Sequence, residues 1–159
     1  MRIPDIDIET SRKEYDALPS NEWRKDYFNE ENGGYVATSW KRIAEANKNN
    51  KELLKFDKEH EICLVFAKSG LRIQHYEDEK PDGTYDVVCN GLKGDIKKTT
   101  STNNIFKYAR WAKKQQRAEI ILFEFITWNA EFRKIVDELV RKDYHGYYYV
   151  SNVGLVHRF

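Results

Sequence analysis

The sequence predicts an α/β fold of the α+β kind, with one central mixed β-sheet flanked by helices. Three observations predict it. Apolar residues recur at helical spacing in separate stretches, around 40–46, 53–68, 103–116 and 129–141. Short apolar runs at 71–76, 119–125 and 147–157 fall between or after them and read as strands. The Asn90-Gly91 pair marks a tight hairpin, because both central positions of a type I′ turn need positive φ.

A chain of 159 residues can bury one sizeable core and is short for two domains. Its 40% hydrophobic content, with 4 Trp, 10 Tyr and 8 Phe, excludes a disordered chain. The mean hydropathy of −0.80 requires a very polar surface. Cys63 and Cys89 lie in apolar runs without metal-ligand spacing and read as core residues of a reducing compartment. No apolar run approaches the length of a membrane span, and the first ten residues lack the basic and apolar regions of a signal peptide. The expectation is a soluble protein acting in a cytoplasm, with no membrane partner.

Residues 1–38 form an acidic segment with proline breaks at Pro4 and Pro19 and a turn at Asn32-Gly33-Gly34. It is expected to hold a short helix at 12–18, to be otherwise irregular, and to pack on the main domain, 39–159, through Trp23, Tyr27, Phe28 and Tyr35. Ser39 is a candidate N-cap for a helix carrying Trp40, Ile43 and Ala44. A second helix from about 53 or 56 ends at Ser69-Gly70, where Gly suits the C′ position. A strand at 71–76 leads to the hairpin. The hydroxyls at 99–102 can cap a helix over 103–116, a central strand follows at 119–125, and 129–141 is amphipathic, with Phe132, Ile135, Val136, Leu139 and Val140 inward. The end reads as another strand pair. His60, His75, His145 and His157 show no zinc spacing.

The hairpin carries the chemistry. With Asn90 and Gly91 as its loop, Cys89 faces Leu92, Val88 faces Lys93, Val87 faces Gly94 and Asp86 faces Asp95. Alternation puts Asp95 and Lys97 on one face, and Ile96 and Lys98 on the other. Opposed like charges destabilise a ladder, so the acid pair calls for a neutralising cation. A hard divalent ion takes one or two carboxylates, waters and phosphate oxygens. It can polarise a phosphodiester while a neighbouring ammonium holds developing charge. That is nuclease chemistry; the same residues also suit the wet face of a hairpin with a surface ion pair.

On the second helix, Glu59 meets Ile62, Cys63 and Phe66 at i+3, i+4 and i+7, whereas Glu61 meets Lys68 at i+7. Glu59 therefore lies nearer the buried stripe and needs a partner. The formal net charge of +1 hides an asymmetry: 93–117 holds eight basic residues against Asp95 alone. Lys107, Arg110, Lys114 and Arg117 line one side of the helix there, an edge suited to a phosphate backbone or simply to solvent.

The order helix, strand, hairpin, helix, strand, helix, strand, with Glu59 on the first helix, Asp86, and Asp95-Ile96-Lys97 on the hairpin, resembles the PD-(D/E)XK nuclease superfamily over about 33–125. Gln116, or its neighbour Gln115, matches a weaker fourth position. The spacing of Glu59 to Gly70 favours Glu59 over Glu61 in this comparison. Two departures bear on it. Proline precedes Asp82 and Tyr85 precedes Asp86, so Asp82 is a rival ligand, and Asp95 stands where Glu is commoner. The small size, the Gly33-Gly34-Tyr35 segment and the stretch QQRAEIIL resemble bacterial polymorphic toxin nucleases. The nearest comparison is with the C-terminal tRNase toxin domains of contact-dependent growth inhibition proteins and phage-associated relatives.

The resemblance implies a restriction-endonuclease-like core and a metal-dependent endonuclease. Asp86 and Asp95 would bind Mg²⁺ or Mn²⁺ with the Ile96 carbonyl, and Glu59 would bind directly or through water. Lys97 would orient the attacking water or stabilise the pentacovalent phosphate, with Gln116 nearby. Lys98, Lys107, Arg110 and Lys114 would hold flanking phosphates. It further implies RNA, chiefly tRNA, as substrate, an immunity protein as partner, and action in the bacterial cytoplasm after delivery as part of a larger secreted protein. A DNA endonuclease of the same fold and a non-catalytic nucleic-acid- or partner-binding module are the alternatives, since a fold does not set a function.

Overall fold

The computed structural model describes residues 7–159, so the break expected at Pro4 lies outside the described residues. Among the described residues, eight strands form one open mixed sheet, with strands in chain order. The first helix, α1 (Ile8–Ala17), starts earlier than expected because Asp7 caps it, accepting the Glu9 N–H at 3.0 Å. Strands β1 (Trp23–Phe28) and β2 (Tyr35–Ser39) follow as an antiparallel pair. They correct the expectation of an irregular segment appended to the core, because residues 23–39 belong to the same sheet as everything else. The two strands left little signal: WRKDYF does not alternate, and β2 is buried on both faces.

Ser39 caps α2 (Trp40–Ala46) as expected. Asn49 caps α3 (Asn50–Lys68), which therefore begins inside the polar run and not at 53 or 56. The chain then enters β3 (Arg72–His75), parallel to β2. The close passage of β2 under the end of α3 demands Gly34, since a Cβ there would lie 1.8 Å from the Ala67 carbonyl oxygen. Strands β4 (Val87–Cys89) and β5 (Leu92–Thr99) form the hairpin in the expected register, with Asn90 and Gly91 at φ 51° and 83°.

A 3₁₀ turn leads into α4 (Ile105–Lys114). Strand β6 (Ile120–Phe125) is buried at every position between two parallel neighbours. Asn129 caps α5 (Ala130–Arg141), and β7 (Gly146–Val150) and β8 (His157–Arg158) complete the sheet. Val140, expected inward, is instead exposed, because the buried stripe of α5 runs through Phe132, Val136 and Leu139.

On one face of the sheet, Ile62, Cys63 and Phe66 of α3 pack against Val36, Ile73, Val87, Ile96 and Leu122. On the other, α4 and α5 pack against Ile121, Phe123 and Phe125, and at the far end Tyr15 of α1 packs against Tyr35 and Ala37. Since side chains alternate, Asp95 and Lys97 project from this second face, between α1 and α4. Both cysteines are free and buried, and no described helix is long and apolar enough to cross a membrane.

Candidate active site

The site forms where β4 and β5 part. Val87 opposite Gly94 is the last pair of the ladder, and the Asp86 N–H also donates to the Gly94 carbonyl at 3.0 Å. One step on, Ile96 has no facing strand, and the Asp86 carboxylate replaces it by accepting the Ile96 N–H at 2.8 Å. In a strand, a residue's N–H and C=O point the same way, so the Ile96 carbonyl opens toward this cleft. Asp95 stands opposite Asp86, close enough for its charge to bear on that carboxyl. Lys97 Nζ lies 2.9 Å from Asp95 Oδ2. The ammonium is within ion-pair distance but off the direction of a hydrogen bond, which leaves both Asp95 oxygens without a hydrogen-bond partner among the described residues. Asp95 is fully buried.

Burial pushes the Asp86 carboxyl well above the usual range, and the neighbouring Asp95 and then Glu59 push it further; the Ile96 N–H opposes them. Buried polar atoms are nearly always satisfied, so two facing acids with Lys97 as their one close cation leave room for further positive charge. The donors present, two carboxylates and a carbonyl, suit an oxygen-coordinated ion such as Mg²⁺ or Mn²⁺. Among the described residues no three His, Cys, Asp or Glu groups converge as a ready-made metal cage. A cation here would draw the rest of its shell from backbone and water.

Glu59 is turned inward, as expected, while Glu61 is exposed. The structure does not bring it in as a third ligand. Its Oε2 lies 3.2 Å from Arg42 Nη2 and 3.0 Å from His75 Nε2, so its charge is already answered. Burial pushes Glu59 up, but the His75 bond and the Arg42 charge outweigh it and hold the carboxylate below its usual value. Full burial pushes His75 down, toward the neutral imidazole. His75 stacks on Phe56 at 5.5 Å and 8°, and the Arg42 guanidinium lies 5.3 Å from the same ring. Neither Arg42 nor His75 was legible as a partner: Arg42 is a charge on a short helix, and only the packing of α2 on α3 buries it.

The other expected residues divide. Asp82 is exposed and engaged by Tyr85 and, at 3.2 Å, by Lys93, apart from Asp95. Gln116 sits in the turn before β6, beside Gly83, with its side-chain oxygen buried and unpartnered. No hydrogen bond joins it to Asp86, Asp95 or Lys97. Lys98 points to the α3 side of β5 and pairs with Glu124 at 3.0 Å, so it is removed from the acids. Lys107, Arg110 and Lys114 are exposed around Trp111 on the outside of α4. The helix is tied to the site by its next residue, Tyr108, whose ring lies 5.7 Å from Lys97 Nζ.

No protein-family model and no curated protein matches the chain. Among solved structures it is similar to a chain of the CdiA-CT/CdiI toxin and immunity complex from Burkholderia pseudomallei, at a TM-score of 0.56 and 11% identity. The match covers 71% of this chain and 89% of that one. At such identity the likeness speaks for the fold, an α+β architecture built on an open mixed sheet.

Proposed function

We propose that this chain is a metal-dependent phosphodiesterase of the PD-(D/E)XK type, a toxin that cleaves RNA, chiefly tRNA, inside a target bacterium. One observation carries the reading: two buried acids, one with both oxygens unsatisfied, lie beside a lysine at the splitting point of a hairpin. Asp86, Asp95 and the Ile96 carbonyl would hold Mg²⁺ or Mn²⁺, which when bound supplies an activated water and a polarised phosphoryl oxygen. Lys97, with a fifth of its side chain exposed, reaches from the buried acid toward solvent and can orient water or meet the charge that develops on phosphate. Glu59 acts one layer back, adding negative field at Asp86. Lys107, Arg110 and Lys114 offer contacts to neighbouring phosphates. The likeness to a toxin and immunity complex supports a toxin context and a protein partner.

A second reading, a non-catalytic member of such a pair, is favoured by the burial of Asp95, which has no solvent exposure. Incubating the purified chain with tRNA, single-stranded DNA and duplex DNA, with Mg²⁺ and with EDTA, separates the two. Metal-dependent cleavage of tRNA that disappears in Asp95→Asn supports the nuclease. Absence of cleavage on all three substrates supports the binding module.

A further inference from the structure

The sheet end that carries Asp86 also carries a pocket that the phosphodiester chemistry leaves unused. A cavity of about 340 Å³ lies at the ends of β1, β2 and β3, lined by Trp23, Ser39, Trp40, Lys41 and Tyr76, by two carboxylates, Glu22 and Glu77, and by Asn21. That volume is in the range of small-ligand sites, roughly 300–1,000 Å³. The Tyr76 N–H donates to the Asp86 carbonyl at 2.9 Å, so the pocket wall and the acid are neighbours on adjacent strands, about 5 Å apart in backbone.

Its walls are held in place. Trp23 is buried and meets Tyr76 edge-on at 4.9 Å and 88°, which sets the plane of the tyrosine ring. Trp40 donates its indole N–H to the Ser20 carbonyl at 2.9 Å, yet the side chain remains 44% exposed. An indole tied down at its polar edge with its surface open is a stacking platform. At one end Glu77 Oε2 accepts the Ser39 hydroxyl at 3.0 Å, which orients the carboxylate.

We infer that this pocket binds an unpaired guanine of the nucleic-acid strand, beside the phosphodiester held at Asp86 and Asp95; the inference rests on the nuclease reading above. Aromatic faces stack any base, so the choice falls to the polar group. An ionised carboxylate only accepts hydrogen bonds. Guanine alone offers two adjacent donors, N1–H and the N2 amino group, on its pairing edge. Adenine and cytosine set an acceptor beside their amino group, and uracil sets its single N–H between two carbonyls. The pocket's acidic residues repel phosphate, so the base enters and its phosphate stays outside, where Lys41 is the nearest pocket-lining cation.

The test is nucleotide binding to the full chain in EDTA, followed by tryptophan fluorescence, with 5′-GMP, dGMP, AMP, CMP and UMP as probes. GMP should bind tightest and saturably. Trp40→Ala should weaken GMP about fivefold or more, while Trp40→Phe, which keeps a stacking face, should retain most of the affinity. Glu77→Gln should weaken GMP about tenfold or more and leave AMP nearly unchanged. Equal affinity for the four bases, or an equal loss for all four in Glu77→Gln, overturns the inference. Cleavage without guanine selectivity removes the pocket and spares the nuclease; guanine selectivity without cleavage does the reverse. Preference for GMP over dGMP assigns the occupant to RNA, and equal binding to a base of either nucleic acid.

Discussion

Asp86 accepts the backbone N–H of Ile96 at 2.8 Å, and this bond anchors one half of a buried acid pair where two strands separate. A regular ladder would have used a main-chain carbonyl at that point. Using a side chain instead frees the Ile96 carbonyl and keeps the Asp86 carboxylate against Asp95. The arrangement is costly for a folded chain, since Lys97 is the one close counter-charge for two buried acids, and four measurements follow from it and from its surroundings.

Burial, then Asp95 and Glu59, raise Asp86 well above its ordinary value near 4. A folded pKa above the unfolded one means that the folded state holds the proton more tightly. The stabilising contribution of Asp86 is therefore complete below about pH 4 and is lost as pH rises through the folded value. Glu59 is held low by His75 and Arg42 and runs the opposite way: its contribution is complete above about pH 4 and is lost as pH falls through the lowered folded value. Comparison with Asp86→Asn isolates the first effect. Urea unfolding in EDTA should show the variant gaining on the parent chain from pH 4 to 8; a difference that does not change with pH contradicts the assignment.

Divalent cation should stabilise the parent chain at neutral pH. At a hundred times Kd the gain is about 2.7 kcal/mol, or roughly 5–10 °C in Tm for a chain of this length. Thermal scans with MgCl₂ or MnCl₂ against EDTA should show the shift in the parent and lose it in Asp95→Asn. An equal shift in both proteins would place the ion elsewhere.

Arg42 is fully buried and answers Glu59, whose side chain is largely buried. Removing Arg42 leaves the largely buried Glu59 with His75 alone, and breaking a buried ion pair costs up to about 3–5 kcal/mol. Arg42→Met should lose that much in denaturant unfolding, and Arg42→Met with Glu59→Gln should lose clearly less than the sum of the single changes. Additive losses would show that the pair is not coupled.

Lys107, Arg110 and Lys114 are offered to phosphate, whereas Lys98 is occupied by Glu124. Each phosphate contact contributes about 0.7–0.9 to the slope of log K against log salt. In an Asp95→Asn background, which prevents cleavage during titration, alanine at 107, 110 or 114 should reduce the slope by about that amount. Lys98→Ala should leave it unchanged. The opposite ranking would move the nucleic-acid path to the α3 side of the sheet.

The parts of the site that were legible beforehand depend on neighbours in the chain. Asn90-Gly91 specifies its own turn, the turn specifies the register, and alternation then sets Asp95 and Lys97 on a shared face opposite Asp86. Glu59 could be recognised as an acid in need of a partner from its place on the α3 stripe. The identity of that partner could not, because Arg42 lies 17 residues away on another helix and His75 lies 16 residues away on a strand. β1 and β2 escaped notice for a related reason. A strand without alternation, or one covered on both faces, has no period that distinguishes it from an irregular run.

Local rules of turn geometry and side-chain alternation were therefore enough for the sequence alone to determine the hairpin, its pairing, and the meeting of two acids with one lysine. Tertiary packing alone decided how those groups behave. It buried Asp95 with Lys97 as its ion-pair partner, gave Glu59 to Arg42 and His75, turned Lys98 toward Glu124, and brought Tyr76 beside Asp86. The reason is that burial and charge compensation depend on which distant surfaces meet, and no window along the chain contains both members of such a contact.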